Sequence, residues 1–367
     1  MPDARTTAAL AGAERFLNAW HGGPSMSERL EAVARATPAD EREDRYGDGE
    51  RIARLESRVA ELVGAEAAVF MPTGTAAQQI ALRIWTERKG VPTVAWHPTC
   101  HLEIHEQRGY QALHGLRSRL VGDPHALIAR DELEKVTEPL AALLLELPQR
   151  EIGGRLPEWE DLVAETSWAR ERDIAVHLDG ARLWQVAPFY GRPYAEIGGL
   201  FDSVYVSFYK DLGALAGAAL AGDHAFIGEA RVWLRRHGGN LVTMHPFVVS
   251  AELGLDERLP RIPAYVDHAR AIGAALAGLD GVEVLPDPPQ TAMFHVLIRG
   301  DRDRLVDAAL AVAEERKVFL FSDPKPTTSP TWYKHEVTVG ECTLNLAPDE
   351  VSELYAEILE RAAALPV

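Results

Sequence analysis

Two stretches of the chain, HLDGARL (177–183) and SVYVSFYKDLGALAG (203–217), decide how the sequence is interpreted. Each contains residues typical of a buried strand, and each strand ends near a charged residue, Asp179 in the first and Lys210 in the second. The carboxyl ends of parallel strands meet at one edge of a sheet, where ligands bind in open α/β folds. The sequence therefore predicts that an acid and a lysine face the same site.

An acid and a lysine in this arrangement are what a pyridoxal phosphate (PLP) site requires. The lysine forms a covalent bond with the cofactor aldehyde, and the acid keeps the pyridine nitrogen protonated, so that the ring accepts electrons from a substrate carbanion. Apolar neighbours such as Val206, Phe208 and Leu212 desolvate an amine at Lys210 and favour this role. The alternatives are a lysine that caps a strand in solvent and an Asp179 that caps a following helix. We expect an enzyme that acts on an amino acid.

Two further side chains lie close to Asp179 in the sequence. His177 is two residues earlier on the same strand face, so it can hydrogen-bond the acid or the ring substituents. Arg182 is three residues later, and a guanidinium suits a bidentate grip on a substrate carboxylate. The alternative for Arg182 is a surface salt bridge.

The segment PTGT (72–75) joins a predicted strand to a predicted helix. Gly74 permits close backbone approach, and the N–H groups at the positive end of the helix dipole form a phosphate site. The hydroxyl of Thr75 adds a donor, and Ser207 is a further candidate donor to the phosphate. A plain helix cap is the alternative interpretation of this segment.

The segment HPTCHLEIHE (97–106) contains three histidines at four-residue spacing and one cysteine. Pro98 argues against one continuous helix through all three histidines, and no set of thiolates or carboxylates completes a metal geometry. We therefore expect no metal. A histidine stacked on the flat cofactor ring fits this position, and His101 is the candidate, the alternative being a polar helix residue.

Composition excludes several classes of protein. The 367 residues carry a formal net charge of −17, which argues against nucleic acid and anionic membranes as main partners. The two cysteines, Cys100 and Cys342, do not make a disulfide framework. The N-terminus is too polar for a signal peptide, and no apolar stretch reaches the length of a membrane span. A cytoplasmic enzyme is the expectation.

Strands alternate with helices along most of the chain, which predicts an α/β fold with a mostly parallel sheet. Apolar residues at helical spacing predict a helix over 51–64, for example. The expected domains are an N-terminal arm (1–44), a large domain (45–250) and a smaller C-terminal α/β domain (251–367). Within the last, we expect a polar loop over 322–336 and a strand over 337–347.

Four segments together resemble the threonine aldolase family, whose relatives include the β-eliminating lyases. RYGDGERIARLESRVAELVGAEAAVFMPTGTAAQQIAL (45–82) is similar to that family's YGED…LE…ALF.PSGT..NQ stretch. HLDGARLW (177–184) is similar to its H.DGAR segment, SFYKDLGALAGAALAG (207–222) to its lysine segment, and EIGGRLP (151–157) to its SGGR turn. The resemblance covers about residues 45–245.

The resemblance implies PLP fold type I, the architecture of aspartate aminotransferase. It implies that Lys210 carries the cofactor, that Asp179 binds the pyridine nitrogen and that His101 stacks on the ring. Gly74 and Thr75 would hold the phosphate, and Arg182 would contact the substrate carboxylate. It also implies a homodimer or homotetramer with active sites at the subunit interface.

Several positions depart from the family pattern. The residue before the lysine is Tyr209 rather than Ser, and the residue after it is Asp211 rather than Gly. The family's ENTHN reads ELPQR (146–150), and its GGGMRQ reads HGGNLV (237–242), which lacks the Arg. The C-terminal TLNLAP (343–348) contains no second Arg for a substrate carboxylate.

The function predicted from these observations is cleavage of the Cα–Cβ bond of a β-hydroxy-α-amino acid to glycine and an aldehyde. His101 or a bound water is the expected base for the β-hydroxyl proton. One alternative is β-elimination or another lyase reaction on a β-substituted amino acid. Another is a protein of this fold that binds PLP without turnover, and a metal hydrolase is the most distant alternative.

Overall fold

The computed structural model describes residues 3–364 and divides the chain into two compact units. The first unit contains the chain up to Ser25, the short segment Ile152–Gly154 and the chain from Arg261 onward. The second, larger unit contains Met26–Glu151 and Arg155–Pro260. The domain boundaries predicted from the sequence stay a prediction.

The strands of the described residues are numbered in chain order. They are β1 (Arg15–Phe16), β2 (Ala67–Met71), β3 (Thr93–Trp96), β4 (Arg117–Leu120), β5 (Ala142–Glu146), β6 (Ala175–Gly180), β7 (Ser203–Ser207), β8 (Ala218–Gly222), β9 (Val282–Leu285), β10 (Met293–Arg299), β11 (Val318–Phe319), β12 (Lys325–Pro326) and β13 (Trp332–Thr338).

The helices are numbered in the same way. They are α1 (Ala4–Gly12), α2 (Met26–Arg35), α3 (Glu50–Val63), α4 (Gly74–Lys89), α5 (His101–Ile104), α6 (Gly109–His114), α7 (Arg130–Glu134), α8 (Trp159–Arg170), α9 (Ala187–Tyr190), α10 (Tyr194–Gly198), α11 (His224–Arg236), α12 (His245–Leu253), α13 (Ile262–Leu276), α14 (Arg302–Arg316) and α15 (Pro348–Ala364).

A seven-stranded sheet forms the centre of the larger unit, with strand order β2-β8-β7-β6-β5-β3-β4. Strands β4, β3, β5, β6 and β7 are parallel, and β8 pairs antiparallel with both β7 and β2. Every residue of β6, β7 and β8 is buried, as expected for strands covered by helices on both faces. The predicted α/β fold with a mostly parallel sheet is confirmed.

Helix boundaries follow local chemistry. Helix α3 ends at Gly64, which adopts the left-handed conformation with φ 71° and whose N–H bonds the carbonyls of Ala60 and Glu61. Helix α4 begins after Thr73, whose side chain accepts a hydrogen bond from the N–H of Ala76. The helix predicted over 51–64 is confirmed within one residue.

The smaller unit contains an antiparallel sheet with strand order β12-β13-β10-β9 and a parallel pair, β1 and β11. Here the strand predicted over 337–347 is wrong beyond Thr338. Strand β13 begins at Trp332, inside the predicted loop, and residues Glu341–Asn345 form a 3₁₀ turn. The polar segment is a strand because it pairs with β10 along its full length, from Arg299–Trp332 to Met293–Thr338, a long-range contact that local sequence does not report.

Glu165 on α8 generates a prediction about stability. The residue is 4 % exposed, and burial, followed by the nearby charge of Asp161, raises its pKa from 4.5 to about 8. Between pH 4.5 and about pH 8 the folded chain keeps a proton on Glu165 that the unfolded chain releases. Ionisation then favours the unfolded state, so stability falls as pH rises through this window, by on the order of 3 kcal/mol at pH 7.

Glu165→Gln removes this cost, so the variant should gain stability over the natural protein progressively from pH 5 to pH 8. Thermal unfolding at several pH values measures the difference. Glu160→Gln is the matched control because Glu160 is exposed on the same helix. A stability difference for Glu165→Gln that does not change with pH contradicts the prediction.

Candidate active site

Three neighbouring parallel strands bring two acids and a lysine to one edge of the large sheet. Glu146 at the end of β5 pairs with Asp179 on β6, and Asp179 pairs with Tyr205 on β7. Lys210 follows β7 by three residues. The two strands on which the interpretation of the sequence depends are therefore adjacent, and their carboxyl ends lie at the same edge.

Asp179 lies inside the protein with 1 % of its surface exposed. One carboxylate oxygen, Oδ1, accepts a hydrogen bond from the N–H of Ala181 at 3.0 Å. The other, Oδ2, accepts one from the side-chain amide of Gln78 on α4. Donors within the protein therefore hold both oxygens of this buried acid, as a charge in the interior requires.

Lys210 has the electrostatics of a reactive amine. Burial, followed by the positive charge of Arg182, lowers its pKa from 10.5 to about 8. The negative charges of Asp179, Glu146 and Asp211 act in the opposite direction and limit the shift. A substantial fraction of the amine is therefore neutral near physiological pH, and the neutral amine is the nucleophile.

Glu146 is a site residue that our sequence reasoning did not select. Burial, followed by the charge of Asp179, raises its pKa to about 7, while Arg150 N–H, His101 and Lys210 act to lower it. The signal was present in the sequence, because LAALLLEL (140–147) is a buried strand that ends in an acid, as the strand before Asp179 does. Glu146 brings a second carboxyl group that titrates near neutrality to this edge of the sheet.

The predicted phosphate segment lies at the amino end of α4. Gly74 is buried, and a Cβ atom added there would lie 2.0 Å from the hydroxyl oxygen of Tyr205. Thr75 is exposed in the first turn, where backbone N–H groups point out of the helix. Only glycine fits at position 74, and the helix terminus offers donors to an anion.

His101 is the first residue of the short helix α5. Its Nδ1 lies 3.1 Å from Oε1 of Glu106, and the other oxygen of Glu106 accepts a hydrogen bond from the amide of Gln79 at 3.1 Å. The ring of His105 is close, with 5.1 Å between the ring centroids. Gln79 and Glu106 thus orient the His101 ring.

Arg182 and Ser207 differ in how the structure places them. Arg182 is 6 % exposed, precedes the turn Leu183–Gln185, and lies close enough to Lys210 to lower the pKa of that amine. The Ser207 hydroxyl is buried and donates to the carbonyl of Ala181 at 2.7 Å. A phosphate role for Ser207 stays a prediction, and it requires that the hydroxyl leave this carbonyl.

His177 does not bond Asp179 directly. Its Nε2 lies 3.0 Å from Oε1 of Gln78, and its Nδ1 lies 2.8 Å from Oγ of Ser203. Both ring nitrogens are therefore occupied inside the protein. Gln78, which sequence reasoning missed, stands between the histidine and the acid. Its signals were two adjacent glutamines in an otherwise apolar part of the helix and their match to NQ in the family stretch.

These residues suit PLP, which carries an aldehyde, a pyridine nitrogen and a phosphate. Lys210 supplies an amine with a lowered pKa for the aldehyde, and Asp179 supplies a buried carboxylate for the ring nitrogen. The amino end of α4 supplies N–H donors for the phosphate, beside the crowded Gly74. Each chemical group of the cofactor thus has a matching group in the large unit.

A search of residues 3–364 finds no group of three or more His, Cys, Asp or Glu residues that could hold a metal ion. Both Cys100 and Cys342 are free thiols. Within the same residues, every helix is too short or too polar to cross a lipid bilayer.

Comparisons with known proteins show what the chain is similar to. The family model described as beta-eliminating lyase matches residues 21–299. Low-specificity L-threonine aldolase 1 of Arabidopsis thaliana is 27% identical over 306 residues, which cover 80% of this chain and 84% of the relative.

Solved structures extend the likeness to nearly the whole chain. The crystal structure of a candidate L-allo-threonine aldolase from Listeria monocytogenes EGD-E superposes with a TM-score of 0.93 at 35% identity, covering 97% of this chain and 99% of that one. A structure of SPT with PLP superposes with a TM-score of 0.68 at 15% identity, covering 92% and 84% of the two chains. The second likeness concerns the fold alone.

The lowered pKa of Lys210 predicts how the apoprotein takes up PLP. The rate should rise with pH and level off above about pH 8, because only the neutral amine attacks the aldehyde. The growth of visible absorbance after mixing apoprotein with PLP, between pH 6 and pH 9.5, measures this. Free lysine serves as the reference, since its amine stays charged to higher pH. A protein rate that follows the free lysine curve contradicts the prediction.

Gly74→Ala should weaken PLP binding by about tenfold or more and destabilise the protein by about 1–3 kcal/mol, because the new methyl group overlaps the buried ring of Tyr205. Gly228→Ala on α11 is the matched control. A Cβ there meets nothing within 4 Å, so it should be neutral or stabilise by about 1 kcal/mol. Thermal unfolding and a PLP titration measure both. Equal behaviour of the two variants would refute the tight fit at Gly74.

Proposed function

This chain belongs to the threonine aldolase and beta-eliminating lyase family of PLP-dependent enzymes, and we propose that it cleaves the Cα–Cβ bond of a β-hydroxy-α-amino acid, giving glycine and an aldehyde. It is a PLP-dependent lyase. The observation that carries the proposal is the site itself, where Lys210, with its lowered pKa, lies within electrostatic reach of the buried Asp179. The names of its relatives, threonine aldolases among them, support the same reaction.

When bound, PLP supplies an electron sink that accepts the pair left on Cα when the Cα–Cβ bond breaks. Lys210 would hold the cofactor by its amine, whose lowered pKa leaves part of it neutral. Asp179 would face the ring nitrogen and favour a proton there, since the hydrogen bonds from Ala181 and Gln78 hold its two oxygens in place. Arg182 is the cation we assign to the substrate carboxylate, because it is buried beside Lys210.

Cleavage requires a base for the proton on the β-hydroxyl group. We assign this role to His101, whose Nδ1 is engaged by Glu106 at 3.1 Å. With a proton held on Nδ1, the other nitrogen, Nε2, has the lone pair that accepts the substrate proton. Gln79 steadies Glu106 through a second hydrogen bond and so keeps the ring in this tautomer.

We also propose that the chain acts as a homodimer or homotetramer in the cytoplasm. Large apolar side chains on the second unit, Leu30, Tyr46 and Val242, are 50%, 53% and 58% exposed, and Tyr46 N–H bonds the carbonyl of Val242 at 3.0 Å. Such surfaces favour association between subunits. Two free thiols are consistent with a reducing compartment.

The proposal predicts that L-threonine, L-allo-threonine and L-serine each shift the visible spectrum of the holoenzyme and that at least one of them releases an aldehyde. L-Alanine is the matched control because it lacks the β-hydroxyl group. Spectra recorded with a coupled aldehyde assay measure both effects. Release of ammonia and an oxo acid without an aldehyde points to elimination and overturns the proposal.

The substitution Lys210→Ala tests the role of the lysine in this reaction. The variant should lose the band of the lysine-bound cofactor and cleave at least about a hundredfold more slowly. Retention of that band in the variant contradicts the assignment of Lys210.

A further inference from the structure

A chain of hydrogen bonds runs from Asp179 away from the cofactor site into the core of the larger unit. Gln78 donates its side-chain amide to Oδ2 of Asp179, and Nε2 of His177 donates to Oε1 of Gln78 at 3.0 Å. The hydroxyl of Ser203 donates to Nδ1 of His177 at 2.8 Å. The indole Nε1 of Trp85 donates to the Ser203 oxygen, also at 2.8 Å.

The direction of every bond in this chain follows from its two ends. An ionised carboxylate only accepts, so Gln78 must turn its NH₂ group to Asp179 and its oxygen to His177. His177 must then carry its proton on Nε2 and accept on Nδ1, which requires the Ser203 hydroxyl to donate. An indole N–H only donates, so Trp85 completes the chain without conflict.

Burial makes this series of hydrogen bonds rigid. Gln78, His177 and Ser203 are at most 1% exposed, so breaking any of these bonds leaves an unsatisfied polar group in the core. Trp85, at the far end, is stacked on Phe226 with 5.0 Å between ring centroids. Because α4 carries both Trp85 and Gln78, the far end of the hydrogen-bond chain and the residue that bonds Asp179 are anchored on one helix.

The hydrogen-bonded residues beyond Asp179 carry no charge. Burial lowers the pKa of His177 to about 3, so the imidazole carries no charge at working pH. The cations near Asp179 are Lys210 and Arg182, which the proposed function places toward the cofactor and the substrate, while Glu146 on β5 is a neighbouring acid. Cys100, Tyr205 and Tyr209 are the other titratable groups near Asp179, and burial raises the pKa of each. The ring nitrogen therefore meets no competing cation from behind.

We propose that Gln78 is a positioning residue which, backed by His177, Ser203 and Trp85, holds the Asp179 carboxylate aimed at the pyridine nitrogen of PLP. The inference rests on the role proposed for Asp179 in cofactor binding and goes beyond the reaction itself. Gln78 makes no contact with substrate in this account. Its effect is on the protonation of the ring nitrogen, which decides how well the ring accepts electrons.

The test is the ¹⁵N chemical shift of the pyridine nitrogen, measured across pH with ¹⁵N-labelled PLP bound to the holoenzyme. In the natural protein the nitrogen should stay protonated over the range where the protein is folded. In Gln78→Leu it should lose its proton with a protonation constant lowered about tenfold or more. kcat should fall while KM changes little, because substrate contacts remain.

Thr86→Val is the matched control, since it removes another side-chain hydrogen bond, to the carbonyl of Arg83, from the same helix. It should leave the ¹⁵N titration as in the natural protein. Ser203→Ala, which acts three hydrogen bonds away from Asp179, should shift the titration in the same direction by a smaller amount. It decides the matter if Gln78→Leu does not fold.

A ring nitrogen that titrates identically in the natural protein, in Gln78→Leu and in Ser203→Ala overturns the inference. Asp179→Asn provides the full effect for comparison, and an unchanged titration in that variant also overturns it. The readout is independent of the reaction catalysed. If no β-hydroxy amino acid is cleaved but the ¹⁵N titration shifts as expected, the proposed function fails and the role of Gln78 stands.

Discussion

A carboxylate can lie in the middle of a seven-stranded sheet only when donors or cations satisfy its charge, and Asp179 imposes this condition on the structure around it. The N–H of Ala181 bonds one oxygen and the amide of Gln78 bonds the other. These two bonds tie the turn after β6 and helix α4 to the acid. The negative charge of Asp179 also interacts with the amine of Lys210, which lies on the side of the cofactor site. The acid thus orders the sheet edge, the helix and the cofactor site together.

Charges of both signs meet at this edge, and burial moves their pKa values toward one another. The pKa of Lys210 falls to about 8 and that of Glu146 rises to about 7. Water would screen such groups, but a desolvated edge lets each respond to its neighbours. Groups that gain and lose protons near neutral pH suit a reaction in which protons leave the β-hydroxyl group and return to Cα. Site chemistry therefore depends on the same burial that stabilises the sheet.

Residues at the ends of buried strands were predictable because strand periodicity and the edge rule for parallel sheets are local. This reasoning placed Asp179 and Lys210 at one edge, and it selected Gly74 beside a helix terminus, where the structure leaves no room for a side chain. It missed Gln78 and Glu146, whose importance depends on a neighbour distant in the sequence. It assigned the strand 337–347 wrongly, because pairing with β10 determines where β13 begins and ends.

The sequence by itself determined the α/β class, the helix and strand order in the larger unit, the family and the cofactor, because each is written in short motifs and in local periodicity. Only the tertiary structure decided that His177 reaches Asp179 through Gln78, that Glu106 orients His101, and that Tyr205 demands a glycine at position 74. These contacts join residues that lie up to about 130 positions apart in the sequence, as Gly74 and Tyr205 do. Their geometry arises when the sheet and its helices pack, and packing is a property of the whole chain.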